Sequence, residues 1–130
     1  MSLTVSADLL DQARTGDVAD RAFIDCVRES LPYAWGVISG LADRLRAEGG
    51  EYADNQVPPP DETARGQLLR LVASDAMRAA VERHFGVRLA FQNCHRVAAF
   101  RPSAVDGAAY REFVSTRGQL LNQSPELRDC

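Results

Sequence analysis

Val87-Arg88-Leu89-Ala90-Phe91-Gln92-Asn93-Cys94-His95-Arg96-Val97-Ala98-Ala99-Phe100 decides between two architectures. Val87 to Gln92 has the length of a strand, and Arg96 to Phe100 suits its partner, with Asn93-Cys94 at a tight turn. The alternation of apolar and polar residues is only partial, and the turn lacks an Asn-Gly pair. The expectation is a mainly α domain of four or five helices with a short β-hairpin near residues 87–100. The alternative is an all-α bundle in which that stretch is helical or irregular.

Upstream, His84-Phe85-Gly86 reads as a helix end, with Gly at the left-handed position beyond the last turn. The helix it closes starts at the cap Asp61 and carries Leu68, Leu71, Val72, Ala76, Ala79 and Ala80 on its apolar face. Ser74-Asp75 offers a restart after a kink. Further back, Pro32 suits the first turn of a helix, with Ser30 as its cap. Tyr33, Val37, Leu41 and Leu45 recur every four residues on it, flanked by Trp35, Ile38 and Ala42, so this helix is expected at the centre. Gly36 and Gly40 are expected to allow a close helix–helix approach. Ser6 caps a short first helix over Ala7 to Arg14, and Asp17 is read as the cap of a second. Residues 47 to 60 read as a loop, with Gly49-Gly50, turn chemistry at Asp54-Asn55 and a stiff Pro58-Pro59-Pro60. Downstream of the hairpin, Ala108 to Leu121 reads as a last helix with Tyr110, Phe113, Val114 and Leu121 as its apolar positions. The domain is expected over 1–121, with 122–130 a loose tail.

The chain has 130 residues and 45% apolar content, which suits one domain with a core of its own. All fifteen basic residues are Arg. Missing Lys removes Schiff-base and P-loop lysine chemistry, and the codon bias it implies points to a high-GC bacterial genome such as an actinobacterium. Net charge is −3 and no run of like charge occurs, so nucleic acid and anionic membranes are not expected as partners. The N-terminus lacks the basic and apolar regions of a secretion signal. Cys26, Cys94 and Cys130 are odd in number and widely spaced, which fits reduced thiols in the cytoplasm.

The residues with most chemistry per length are Asn93, Cys94, His95 and Arg96. An activated thiolate needs a nearby imidazole, and Cys94-His95 meets that need at a turn but not on a strand, where neighbours face opposite sides. The competing reading is a polar hairpin turn with Cys94 half-buried. His84 and His95 with Cys94 lack ligand spacing, so no metal and no cofactor are expected. Tyr33 and Trp35 are candidates for a ligand or partner pocket, with ordinary core packing as the competing reading. Asn55, in the Asp54-Asn55-Gln56 segment, could order over a pocket mouth, and Gln92 is the fourth pocket candidate.

Ser30-Leu31-Pro32-Tyr33-Ala34-Trp35, the segment from Asp54 to Pro60, and the run from Arg65 to Arg96 resemble small accessory proteins of actinobacterial enediyne polyketide gene clusters. That resemblance implies a biosynthetic pathway and assigns no catalytic residue. Together with the missing motifs it implies a non-catalytic accessory or binding protein. The alternative is a small cyclase-like enzyme acting on a hydrophobic intermediate. The wide apolar faces imply a homodimer or a pathway protein as partner, with a hydrophobic small molecule as another possible occupant.

Overall fold

A computed structural model describes residues 3–92 and 95–122. The elements run α1 (Ala7–Thr15), α2 (Asp20–Ser30), α3 (Pro32–Glu48), β1 (Tyr52–Asp54), α4 (Glu62–Ala73), α5 (Asp75–Phe85), β2 (Arg88–Gln92), β3 (Arg96–Phe100), α6 (Ala108–Phe113) and α7 (Thr116–Leu121), with a 3-10 turn at Pro102–Ala104. The fold is mainly helical, as expected, and residues 88–92 and 96–100 pair as antiparallel strands, which rules out the all-α bundle. Helices outnumber the expected four or five because two long apolar segments are each broken by a serine. Ser74 accepts from the Met77 N–H and starts α5, while Ser115 accepts from the Gly118 N–H and starts α7.

The loop expected at 47–60 supplies an unforeseen third strand. Tyr52–Asp54 pairs antiparallel with β3, so the sheet order is β1-β3-β2 with β3 in the middle. On one sheet face Ala53, Leu89, Val97 and Ala99 join the main core against α2, α3, α4 and α5. On the other face Ala90, Ala98 and Phe100 pack against Ala104 and Phe113, with Ala109 and Tyr110 beside them. The sheet is therefore a middle layer. A strand covered on both faces reads as a continuous apolar run, and Val97, Ala98, Ala99 and Phe100 are each 0% exposed. This accounts for the imperfect alternation in the sequence.

Several local expectations hold. Ser6 and Asp61 cap α1 and α4 through their side chains. Gly86 takes the left-handed conformation after α5, at φ 68° and ψ 37°, where a Cβ would be strained. Others are corrected. The second helix starts at Asp20 with Ala19, not Asp17, as its N-cap. Leu31, not Ser30, caps α3, and it has no side-chain acceptor. Gln67 on α4 fills that role instead, its Oε1 accepting from the N–H groups of Tyr33 at 2.7 Å and Ala34 at 3.3 Å. Ser30 is turned the other way and accepts from the Thr4 N–H at 2.9 Å.

The buried stripe of α3 is Ala34, Ile38, Leu41, Ala42 and Leu45. Tyr33, Trp35 and Val37 flank it as half-buried residues. Gly36 and Gly40 face open space, since a Cβ built at either would meet nothing within 4 Å, so the expected close approach does not occur among the described residues. Gly118 is the position that needs a missing Cβ, which would lie 2.2 Å from the Glu112 carbonyl oxygen. That contact lets α7 fold back tightly on α6. Val114 and Leu121, expected on the inner face of a continuous last helix, are exposed because the break at Ser115 turns them outward.

Candidate functional site

Pairing places the site. Gln92 on β2 stands opposite Arg96 on β3, and Asp54 on β1 stands opposite Ala98 on β3. Strand alternation then puts Asp54, Arg96 and Gln92 on the face covered by α6 and α7. His95 and Asn55, one position along, lie just outside the strand ends. The Cys94–His95 proximity argument concerns residue 94, which together with Asn93 lies outside the described residues.

Arg96 donates from Nε and a terminal nitrogen to Oδ2 of Asp54, with the Nε contact at 2.7 Å. Asp54 is 6% exposed, and Gln56 donates to its other oxygen at 2.7 Å. A buried carboxylate needs such a set of donors to offset lost hydration. The guanidinium also lies 5.7 Å from the centroid of the Phe113 ring. Gln92 is 4% exposed and donates to the Phe113 carbonyl at 3.0 Å. Its own Oε1 is buried and accepts no hydrogen bond. A cavity of about 240 Å³ opens beside it, bordered by Tyr52, Arg96, Glu112, Leu121 and Asn122. A buried acceptor left without a donor is uncommon and asks for an occupant, water included.

Asn55 does not reach this cavity. Its side chain continues the β1–β3 ladder, donating to the His95 carbonyl at 2.9 Å and accepting from the Val97 N–H at 2.9 Å. Tyr33 and Trp35 lie elsewhere too. Trp35 packs on Phe85 and His84 at 5.0 Å and 5.2 Å between ring centroids, with Arg28 over its ring. Burial, with the Asp61 charge second, pushes the Tyr33 hydroxyl above its ordinary range, so it stays protonated at neutral pH. Of the four pocket candidates, Gln92 alone borders the cavity, and of the two described chemistry candidates, His95 and Arg96, Arg96 does. Asp54 and Phe113, which hold Arg96, were not singled out. The signal was a half-buried Arg in a strand, which demands a carboxylate within reach.

His95 is 3% exposed. Burial is the main cause that lowers its pKa, with the charges of Arg65 and Arg96 adding to it. Its unfolded value lies near 6.5, so below that pH the unfolded chain binds the proton more readily than the native one. Stability is therefore full above about 6.5 and is lost as pH falls through the window below it. Thermal melts between about pH 7.5 and about pH 5.5 are expected to show a falling midpoint in the wild type and a flatter dependence in His95→Gln. Equal slopes for the two proteins would remove His95 from the account.

Among the described residues no group of three His, Cys, Asp or Glu side chains is placed to hold a metal ion. No helix of these residues is long and apolar enough to cross a membrane. Fold and site define a small helical domain built on a three-stranded antiparallel sheet, with a part-polar cavity between the sheet and its last two helices. A family model labelled for KH and NucS, and described as "NucS shadow ORF", matches residues 1–130, and the chain belongs to that family. This overturns the resemblance to accessory proteins of enediyne clusters, whose quoted segments are capping, core and turn residues that many helical domains need. Neither a curated protein nor a solved structure matches the chain.

Proposed function

We propose that this chain is a non-catalytic binding module that associates through its α6–α7 face, first of all with a second copy of itself. One observation carries the reading: Leu120 and Leu121 of α7 are 73% and 62% exposed, and Leu121 borders the same cavity as Gln92 and Tyr52. Adjacent exposed leucines at the mouth of a cavity holding an unfilled acceptor have the composition of an interface with an anchor pocket. A two-fold dimer is the commonest way for such a patch to be covered.

The non-catalytic reading is supported by the state of the candidate groups. Arg96 is committed to Asp54, and the lowered pKa of His95 leaves it neutral. Cytoplasmic residence fits the buried, free thiol of Cys26. The family description names a reading frame and states no activity. KH modules clamp a nucleic-acid backbone with a G-x-x-G loop. No two glycines of this chain lie three apart, and the α4–α5 corner reads Ala73-Ser74-Asp75, so a partner other than nucleic acid is favoured.

Sedimentation equilibrium is the test. The wild type is expected at the mass of two chains at micromolar concentration, and the double variant Leu120→Asp, Leu121→Asp at the mass of one with an unchanged circular dichroism spectrum. A wild type that stays at one chain's mass through the upper micromolar range would reject self-association. Retention of single-stranded RNA or DNA on a filter at physiological salt would reverse the choice of partner.

A further inference from the structure

On the opposite side of the sheet from α6 and α7, a second cavity has a different chemistry. Thr4 is held at both backbone groups: its N–H donates to Ser30 Oγ at 2.9 Å, and its carbonyl accepts from Cys26 Sγ at 3.4 Å. Fastening Thr4 to the end of α2 holds its neighbours Leu3 and Val5 beside Leu31 and Met77. Leu3, Val5, Leu31, Met77 and the exposed Arg70 line a groove of about 450 Å³. Leu31 is 1% exposed and Met77 and Leu3 are half-buried, so the floor is part of the core.

Arg70 gives the groove its sign. Nearly every other described arginine is engaged by a carboxylate or a carbonyl oxygen, whereas Arg70 and Arg14 have neither a hydrogen bond nor an ion pair. Arg14 stands on α1, a helix with no buried residue. Arg70 instead folds back along α4 over Gly66, its terminal nitrogen 2.6 Å from where a Cβ on that glycine would lie. A groove walled by aliphatic side chains, with one unmatched guanidinium at its edge, is complementary to an aliphatic chain that ends in a carboxylate.

We propose that this groove binds a medium-chain fatty acid, with the alkyl chain between Leu3, Val5, Leu31 and Met77 and the carboxylate on Arg70. The hypothesis is independent of the α6–α7 reading, since no residue is shared. Met77 adds adaptability, as its unbranched thioether fits irregular apolar chains.

Calorimetric titration with decanoate and with decanol, both below their aggregation limits, separates the parts. Decanoate is expected to bind about tenfold more tightly than decanol, the effect of one charge-assisted hydrogen bond. Arg70→Gln is expected to remove that preference while decanol binding persists, Arg70→Lys to keep it, and Leu3→Asp to weaken both ligands. Circular dichroism checks that each variant is folded. No binding of either ligand overturns the site. Equal binding of the two, or a preference for decanoate that survives Arg70→Gln, overturns the role of Arg70 and with it the fatty acid.

Discussion

Phe100→Ala is expected to destabilise the protein by about 4 kcal/mol, within the usual cost of deleting a fully buried large aromatic. Phe100 is 0% exposed and is the largest of the fully buried side chains. It stacks on Tyr52 at 4.9 Å and meets the edges of Tyr110 at 5.0 Å and Phe113 at 5.8 Å. These rings belong to β1 and α6, so one side chain ties the middle strand to an edge strand and to the outer helical layer. The cavity left by alanine has no neighbour free to fill it, because Ala90, Ala98 and Ala104 around it are small. Urea or thermal unfolding read by circular dichroism measures the loss. The wild type is expected to unfold in one cooperative transition, as single domains of this size do. A wild type without such a transition, or a loss under about 1 kcal/mol in the variant, would contradict the packing of helices on both faces of the sheet.

Asp54→Ala is expected to cost about 3 kcal/mol, because removing one member of a buried ion pair leaves the other charge unmatched. Arg96 would keep its place over Phe113 with no carboxylate, and the Gln56 amide would lose its acceptor. Partial exposure of Arg96, at 34% of its side chain, holds the figure to the lower end of the range for such pairs. The double variant Asp54→Ala, Arg96→Met removes both charges and is expected to recover most of the loss. If the double variant is as unstable as the sum of the two single ones, the pair is not the source of the cost.

Cap chemistry was the most legible part of the sequence. Ser6, Asp61, Ser74 and Gly86 sit at helix ends as their types demand, because a cap is a local bond between residues a few positions apart. The hairpin was legible for the same reason: its strands are neighbours in sequence. Strand β1 was not. Tyr52-Ala53-Asp54 is too short to show a period, and what makes it a strand is β3, more than forty residues away, extended by the Asn55 side chain. The place of Trp35 was not legible either: α3 buries one stripe and leaves Trp35 half-buried at its margin, against Phe85 and His84 on a helix distant in sequence.

Of the site, the sequence singled out Gln92 and Arg96 but placed them beside Cys94, Tyr33 and Trp35 as equals. Pairing register separated them: residues 92 and 96 stand opposite each other on one sheet face, while His95 lies in the turn before β3 and takes no part in the ladder pairing. Residue 54 joins that face only because β1 lies antiparallel on β3. By itself, then, the amino-acid sequence determined the helix ends, the hairpin and the mainly α class, which rest on interactions within a few residues. The tertiary structure alone decided which face of the sheet holds the buried charge pair, which leucines stay outside and which of the described arginines lack a partner. Those depend on contacts between distant segments, and residue spacing along the chain carries no record of them.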